Sequence, residues 1–331
     1  MAPAVILAGV RSRDPVVLLD QARAGDAAAT GRLISLIERE GDLARRVAAL
    51  TFAGASAIRR IVGVTGPPGG GKSTLTDRLI GQARSQGPVG VIAVDPSSPF
   101  TGGALLGDRV RMSGHSGDGG VFIRSMATRG HVGGLSLAVP DAVRVLGAVG
   151  MPTVILETVG VGQVEVEIAG AADTTIVVVN PGWGDSVQAN KAGLLEIADI
   201  FVVNKADRPG AAETRRDLAA MVDTDPHMGE WRPPIVLTTA ATGAGVGELW
   251  EAVVDHGVYL QRSGELVSRR EQHLLDELHR AIVGRAAADV RHLAGGEAYE
   301  RVAAAVLAYE LEPRAAAGQL LDALGRARSS E

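Results

Sequence analysis

Nine consecutive residues, Gly66-Pro67-Pro68-Gly69-Gly70-Gly71-Lys72-Ser73-Thr74, fit the pattern G-x-x-x-x-G-K-[ST]. In such a run the glycines let backbone N–H groups turn inward around phosphate oxygens. A lysine then reaches the β- and γ-phosphates, and a serine hydroxyl is available to Mg²⁺. The run follows an apolar stretch read as a strand, Ile61–Thr65, and precedes a helix starting near Ser73. With that context it is a nucleoside triphosphate site rather than a glycine-rich turn.

Asn204-Lys205-Ala206-Asp207 follows a second apolar strand, Ile200–Val203. Its spacing suits guanine, because an aspartate accepts from both the ring N1–H and the exocyclic amine. Adenine offers an acceptor and a differently placed donor, so a buried carboxylate there would be left unpaired. GTP is therefore favoured over ATP. Between the two motifs lies Glu157-Thr158-Val159-Gly160, where GTPases usually carry D-x-x-G, with an acid near Mg²⁺ and a glycine N–H at the γ-phosphate. The glutamate is a departure, and its longer reach changes how the ion is held. Asp95 and Asp108 stand beside turn signals, so Ser73, Asp95, Asp108 and Glu157 make a hard-oxygen set suited to Mg²⁺. On spacing alone Asp95 and Asp108 are equally well read as loop caps.

The hydrolytic apparatus is incomplete. Val161 follows Gly160, and Gln163 is displaced by two positions from the usual place of a water-positioning glutamine. Arg109, Arg111, Arg124 and Arg129 are candidates to stabilise transition-state charge, none singled out by spacing. Slow intrinsic hydrolysis completed by a partner is the expectation.

These residues need a scaffold, and the chain supplies its pattern. Short β-branched runs recur at Ile61–Thr65, Val89–Asp95, Val121–Ser125, Thr153–Glu157, Thr175–Asn180, Asp199–Asn204 and Ile235–Thr239. Most are separated by helix-length stretches, so the fold class is α/β, a mostly parallel, doubly wound sheet of P-loop NTPase type. Helices are predicted over residues 14–50, with Asp14-Pro15 as N-cap and first turn and a break at Ala24-Gly25-Asp26. This part reads as a packing appendage. After Glu248 only helices are predicted: 265–290 with Leu274, Leu278 and Ile282 on one face, then around Arg301–Tyr309, then from Pro313 to near Leu324. A Gly-rich segment, Ser113–Gly120, is predicted to be mobile. The domain division is 1–55, a helical extension; 56–257, the nucleotide-binding domain; and 258–331, a helical arm.

Composition narrows the classes further. The 331 residues are 46% apolar with 3% aromatic, which suits an aliphatic α/β protein. There is no cysteine, which excludes disulfides, iron–sulfur clusters and thiol nucleophiles. The net charge of −5, with no basic tail, argues against nucleic acid as a partner. The apolar stretch Ala4–Val10 is too short to span a membrane, so no membrane partner and a cytoplasmic location are expected.

The order of VTGPPGGGKST, VDPSSPFTGGALLGDRVRM, ETVGVGQVEVEIAGAADT, NPGWGDSVQANKAG and NKAD resembles that in the MeaB/ArgK-type GTPases, over roughly residues 15–290. The resemblance implies a G-protein chaperone of an adenosylcobalamin-dependent acyl-CoA mutase, methylmalonyl-CoA mutase above all. Such proteins gate cofactor delivery from a cobalamin adenosyltransferase and protect the mutase from inactivation. It implies a homodimer joined by the C-terminal arm, with GTP/GDP and Mg²⁺ as ligands. It assigns Gly66 to Thr74 to the phosphates, with Lys72 and Ser73 at phosphate and Mg²⁺. Asp95, Asp108 and Glu157 are assigned to positions around the ion, Gly160 to the γ-phosphate, and Asn204, Lys205 and Asp207 to guanine. The segment with Asp185, Gln188 and Lys191 corresponds to a switch loop that senses the mutase and supports hydrolysis; Trp183 and Ser186 depart from its usual form. From the residues alone that segment is a strand-to-helix connection. A nickel-insertion GTPase is disfavoured by the absence of cysteine and of a histidine cluster. Against a kinase or ATPase linked to amino-acid transport stands Asp207. An adaptor that binds GTP and barely turns it over differs from the chaperone mainly in kinetics.

Overall fold

The computed structural model describes residues 12–39, 41–96, 113–115, 117–128, 138–158, 170–182, 196–224, 229–293 and 296–328. The chain divides into two compact units, Met1–Arg270 and Glu271–Glu331.

The first unit opens with three helices, α1 (Pro15–Arg23), α2 (Ala27–Ile37) and α3 (Asp42–Thr51). Asp14 caps α1 by accepting from the Val16 N–H, with Pro15 supplying a first-turn φ at no cost in lost donors. Asp26 caps α2 by accepting from the Ala28 and Ala29 N–H groups at 2.8 and 3.1 Å. Those bonds, the one from Ala29 foremost, hold its carboxyl below the usual range.

Among the described residues seven strands follow: β1 (Arg60–Thr65), β2 (Val89–Pro96), β3 (Val121–Thr128), β4 (Thr153–Thr158), β5 (Thr174–Val179), β6 (Ile200–Asn204) and β7 (Ile235–Thr238). Between and after them lie α4 (Lys72–Arg84), α5 (Ala138–Ala148), α6 (Ala211–Thr224) and α7 (Val246–Ser263). All pairings are parallel, in the order β3-β2-β4-β1-β5-β6-β7. Each predicted strand is present, with ends shifted by no more than a few residues.

Alternation along the strands sorts side chains into two layers. Val62, Val64, Ile155, Ile176, Val178, Ile200 and Val202 face α4 and α7, together with Leu75, Leu79, Leu249 and Val253. On the other face, Val177, Val179, Phe201 and Val203 meet α6. Ile92, Val94, Val154 and Leu156 meet α5 and the N-terminal helices. The strands read as near-continuous apolar runs because helices cover both faces. The N-terminal helices are thus more than an appendage: Leu18, Leu33, Ile34 and Val47, all within 1% of full burial, belong to the core of this face.

A long helix, α8 (Glu265–Leu293), begins in the first unit after Gly264 in a left-handed turn. Its remainder, α9 (Glu297–Leu307) and α10 (Pro313–Arg328) make the second unit, where α9 packs on α10. The last helix runs to Arg328, four residues past its predicted end at Leu324, since nothing in Gly325–Arg328 breaks it. Leu274, Leu278 and Ile282 are exposed by 44, 56 and 58%.

Candidate functional site: a phosphate loop joined to a base motif

β1 lies between β4 and β5, so the chain leaves it at the point where the sheet's winding changes direction. Open α/β sheets bind ligands there, beyond the carboxyl ends of the strands. The loop Gly66–Gly71 occupies that place and runs directly into α4. At two of its glycines a side chain would also collide with a neighbour. Gly66 has φ 131°, and a Cβ there would stand 2.1 Å from the Val178 carbonyl oxygen. At Gly71, φ 84°, a Cβ would meet the Asn204 amide nitrogen at 2.4 Å. Lys72, buried in the first turn of α4, donates from Nζ to the carbonyls of Gly66 (2.6 Å) and Pro67 (3.1 Å). The ammonium therefore points into the curl of the loop. Thr74 faces solvent one position beyond Ser73.

Ser73 Oγ donates to Glu157 Oε1 at 2.5 Å, and both residues are buried. Glu157 ends up here because it lies opposite Val64 of β1 and Ala93 of β2 at the carboxyl end of β4. Beside it Thr158 donates to Thr65 Oγ1 at 3.1 Å. A hydroxyl and a carboxylate, both hard oxygen donors, are brought together at the phosphate loop, a pair of the kind Mg²⁺ takes. Asp95 lies at the end of β2, opposite Ala127. Its side chain, and Asp108, Gly160, Gln163, Asp185, Gln188 and Lys191 altogether, lie outside the described residues.

The base motif is wired to the phosphate loop. Asn204, 2% exposed at the end of β6, donates from Nδ2 to the Gly70 carbonyl at 2.8 Å. Its Oδ1 accepts from Thr238 Oγ1 and from the Ala240 N–H, each at 3.1 Å. Lys205 sits in the left-handed region at φ 58°, which swings its Nζ to within 2.6 Å of the Gly69 carbonyl. Asp207, in contrast, is exposed.

Two features differ from the sequence reading. Arg124, a candidate to stabilise transition-state charge, is engaged elsewhere: its guanidinium pairs with Glu38 at 2.6 Å and with Ser35 Oγ at 3.0 Å, on the face covered by α2. Alternation along β3 turns it that way. The Gly-rich segment before β3 is tethered to α4. Arg84 makes a two-pronged pair with Asp118 at 2.8 and 3.1 Å, and His115 Nε2 lies 3.1 Å from the Asp77 carbonyl. The turn after β7, Thr239–Gly245, went unremarked in the sequence beyond its strand. Its Thr-Ala-Ala-Thr-Gly run marks a turn, but nothing local ties it to Asn204.

At the amino ends of β5 and β6 a second polar cluster faces away from this site. Asp173 receives Arg270 through Nε (2.8 Å) and Nη2 (2.7 Å) and also accepts from the Ile61 N–H. Asp199 accepts from Arg269 and from the Thr175 N–H. Burial pushes the Asp199 carboxyl up, with Arg269 opposing it. His256, fully buried on α7, lies 2.8 Å from Thr174 Oγ1 and 3.3 Å from Asp199, under the Trp231 ring. Burial first, and the Arg269 charge second, depress its pKa to about 3, so the ring is neutral. Two adjacent arginines at the start of α8 thus fasten it to two strand-leading aspartates.

Comparison with known proteins agrees with this geometry. A crystal structure titled LAO/AO transport system kinase superposes with a TM-score of 0.69 at 26% identity, covering 96% of this chain and 100% of that one. A Pyrococcus horikoshii protein, provisionally named a GTPase, is 48% identical over 92% of this chain and 96% of its own length. The GTPase ArgK of Escherichia coli is 39% identical over 66% of this chain and 68% of its own. The methylmalonic aciduria type A homolog, mitochondrial, of Mus musculus is 35% identical over 72% of this chain and 57% of its own. The family described as methylmalonyl Co-A mutase-associated GTPase MeaB matches residues 30–292. With its P-loop fold and these relatives, the chain belongs to the MeaB family of GTPases.

Proposed function

We propose that the protein binds GTP with Mg²⁺, hydrolyses it to GDP and phosphate, and acts as a chaperone of an adenosylcobalamin-dependent acyl-CoA mutase in the cytoplasm. The observation that carries the nucleotide part is the joining of Lys72, the Ser73–Glu157 pair and Asn204 around one loop. Lys72 exchanges loop carbonyls for phosphate oxygens when nucleotide enters. Ser73 and Glu157 would hold Mg²⁺, which supplies positive charge against the β- and γ-phosphate oxygens. Asn204 holds the base loop to the phosphate loop, and Asp207 accepts from the guanine edge. Gly160 is assigned to the γ-phosphate. In the chemical step a water oxygen bonds the γ-phosphorus as the bond to the β–γ bridging oxygen breaks, leaving GDP and phosphate. Gln163 is the residue proposed to orient that water, and Lys191, with Asp185 and Gln188, belongs to the loop proposed to respond to the mutase.

The mutase as client rests on the family and on the mouse relative's name. A role with a cobalamin adenosyltransferase follows from the same reading. The exposed Leu274, Leu278 and Ile282 support a homodimer formed through the arm of residues 258–331. Among the described residues no helix is long and apolar enough to cross a membrane.

The test is GTP turnover by the purified protein, alone and with a cobalamin-dependent acyl-CoA mutase from the same source, with ATP as control. Slow turnover of GTP alone that rises with the mutase supports both parts. Guanine-selective turnover that the mutase leaves unchanged retains the GTPase and removes this client.

A further inference from the structure

Arg78 lies on α4, six residues beyond Lys72, and none of its contacts is to the phosphate loop. Its Nε donates to the Ala240 carbonyl at 3.2 Å, and its Nη2 to the Ala241 carbonyl at 3.1 Å. Both acceptors belong to the turn that follows β7. Ala240 is held from its other side as well, because its N–H donates to Asn204 Oδ1 at 3.1 Å. Asn204 in turn donates to Gly70. The contacts therefore close a ring: α4 to the turn, the turn to Asn204, Asn204 to the phosphate loop, and that loop back into α4.

We infer that Arg78 is a positioning residue for purine selection. It acts on the base through the Ala240–Ala241 turn and Asn204 without touching the nucleotide. The inference rests on reading Asn204-Lys205-x-Asp207 as the guanine site. Three properties support it. Two successive carbonyls match the rigid donor fork of a guanidinium, which a lysine ammonium cannot span in the same way. Pinning both carbonyls fixes the two peptides that follow Ala240, and so restrains the backbone of Ala240 just beyond the N–H that Asn204 accepts. With Oδ1 held by Thr238 and Ala240, the asparagine amide has one orientation, its Nδ2 toward Gly70. Releasing the turn frees that orientation at the end of β6, three residues before Asp207.

The experiment compares the full-length wild type with Arg78→Ala and Arg78→Lys. A fluorescent GDP analogue is displaced by GDP, IDP, ADP and inorganic tripolyphosphate. Loss of the two charge-assisted bonds is expected to weaken GDP on the order of tenfold in Arg78→Ala. The GDP-to-ADP preference falls with it, tripolyphosphate affinity is retained, and Arg78→Lys recovers only part. Unchanged preference in both variants overturns the inference. So does a parallel loss of tripolyphosphate affinity, which would mean that Arg78 supports α4 as a whole. A wild type that does not prefer GDP over ADP removes the guanine reading beneath it, a result distinct from a selective wild type with equally selective variants. Should Arg78→Ala fail to fold by thermal melting, Arg78→Lys and Arg78→Gln carry the same comparison.

Discussion

The amide of Asn204 donates to the carbonyl of Gly70 across 2.8 Å, joining positions 134 residues apart in the chain. Neither group is at the surface, and the asparagine oxygen is taken by two further donors. The purine and phosphate halves of the site are therefore one hydrogen-bonded body. Removal of the Asn204 amide itself is expected to be felt in both halves.

Lys72→Ala removes the cation at the centre of the phosphate loop. Productive nucleotide binding and turnover are expected to vanish while the fold survives. Isothermal titration with GTP and GDP, beside a thermal melt, checks both halves of the statement. Wild-type turnover in the variant would reject the site.

Glu157→Gln keeps the shape of the buried side chain and removes its charge. Turnover is expected to fall by at least two orders of magnitude, on the scale of losing one oriented charged group. Nucleotide affinity should also lose its dependence on Mg²⁺ concentration. An unaltered Mg²⁺ titration of GDP binding would assign the ion elsewhere.

Asp207→Asn exchanges a pure acceptor for a group that also donates. Preference is expected to move from GTP toward xanthine nucleotide, whose O2 accepts where guanine presents an amine. Competition between GDP and XDP for the wild type and the variant measures it. Undiminished GTP selectivity would refute the contact.

Arg270→Ala leaves Asp173 buried, with only the Ile61 N–H, among the described residues, still bonded to its carboxylate. The Arg270 side chain is 30% exposed, so breaking this half-buried pair costs about 1–3 kcal/mol. A urea midpoint lowered to match is expected, whereas a change within a few tenths of a kcal/mol would make the pair a surface one in effect.

His256 gives the pH dependence a sign. Its folded pKa of about 3 lies below the ordinary histidine value of 6.5, so the unfolded chain binds a proton that the folded one refuses. The associated stability is complete above about pH 6.5 and is lost as pH falls toward 3. Between pH 7 and pH 5 this amounts to about 2 kcal/mol. His256→Gln should flatten that part of the stability profile, measured by denaturant melts at fixed ionic strength. An equally steep acid limb in the variant would place its origin elsewhere.

Much of this was legible in local sequence. β-Branched runs at helix-length spacing gave the strands, since a parallel sheet covered on both faces needs apolar residues throughout. Gly66–Thr74 and Asn204–Asp207 carry their chemistry in contiguous letters. What escaped was set by contacts between distant segments. Arg124 stands among the candidates to stabilise transition-state charge because a sequence does not say which face of β3 meets α2. The burial of Asp207 was assumed from the needs of the base, and the strand end leaves it in solvent. The Thr239–Gly245 turn and Arg78 are bland singly and meaningful only through Asn204. Likewise Asp173 and Asp199 read as strand-end polar residues until Arg269 and Arg270, 70 to 97 positions later, arrive beside them.

The strand order also governs how the molecule is made. β1 is the first strand synthesised, yet it pairs with β4 and β5, and Ile61 waits for the carboxylate of Asp173, 112 residues downstream. Gly66–Thr74 therefore leaves the ribosome with neither of its flanking walls in existence. Asn204, which braces it, comes later still. Such non-local parallel pairing closes slowly and exposes apolar strands meanwhile. The loop thus gains its full set of bonded neighbours only once β6 and the Asn204 at its end have been delivered.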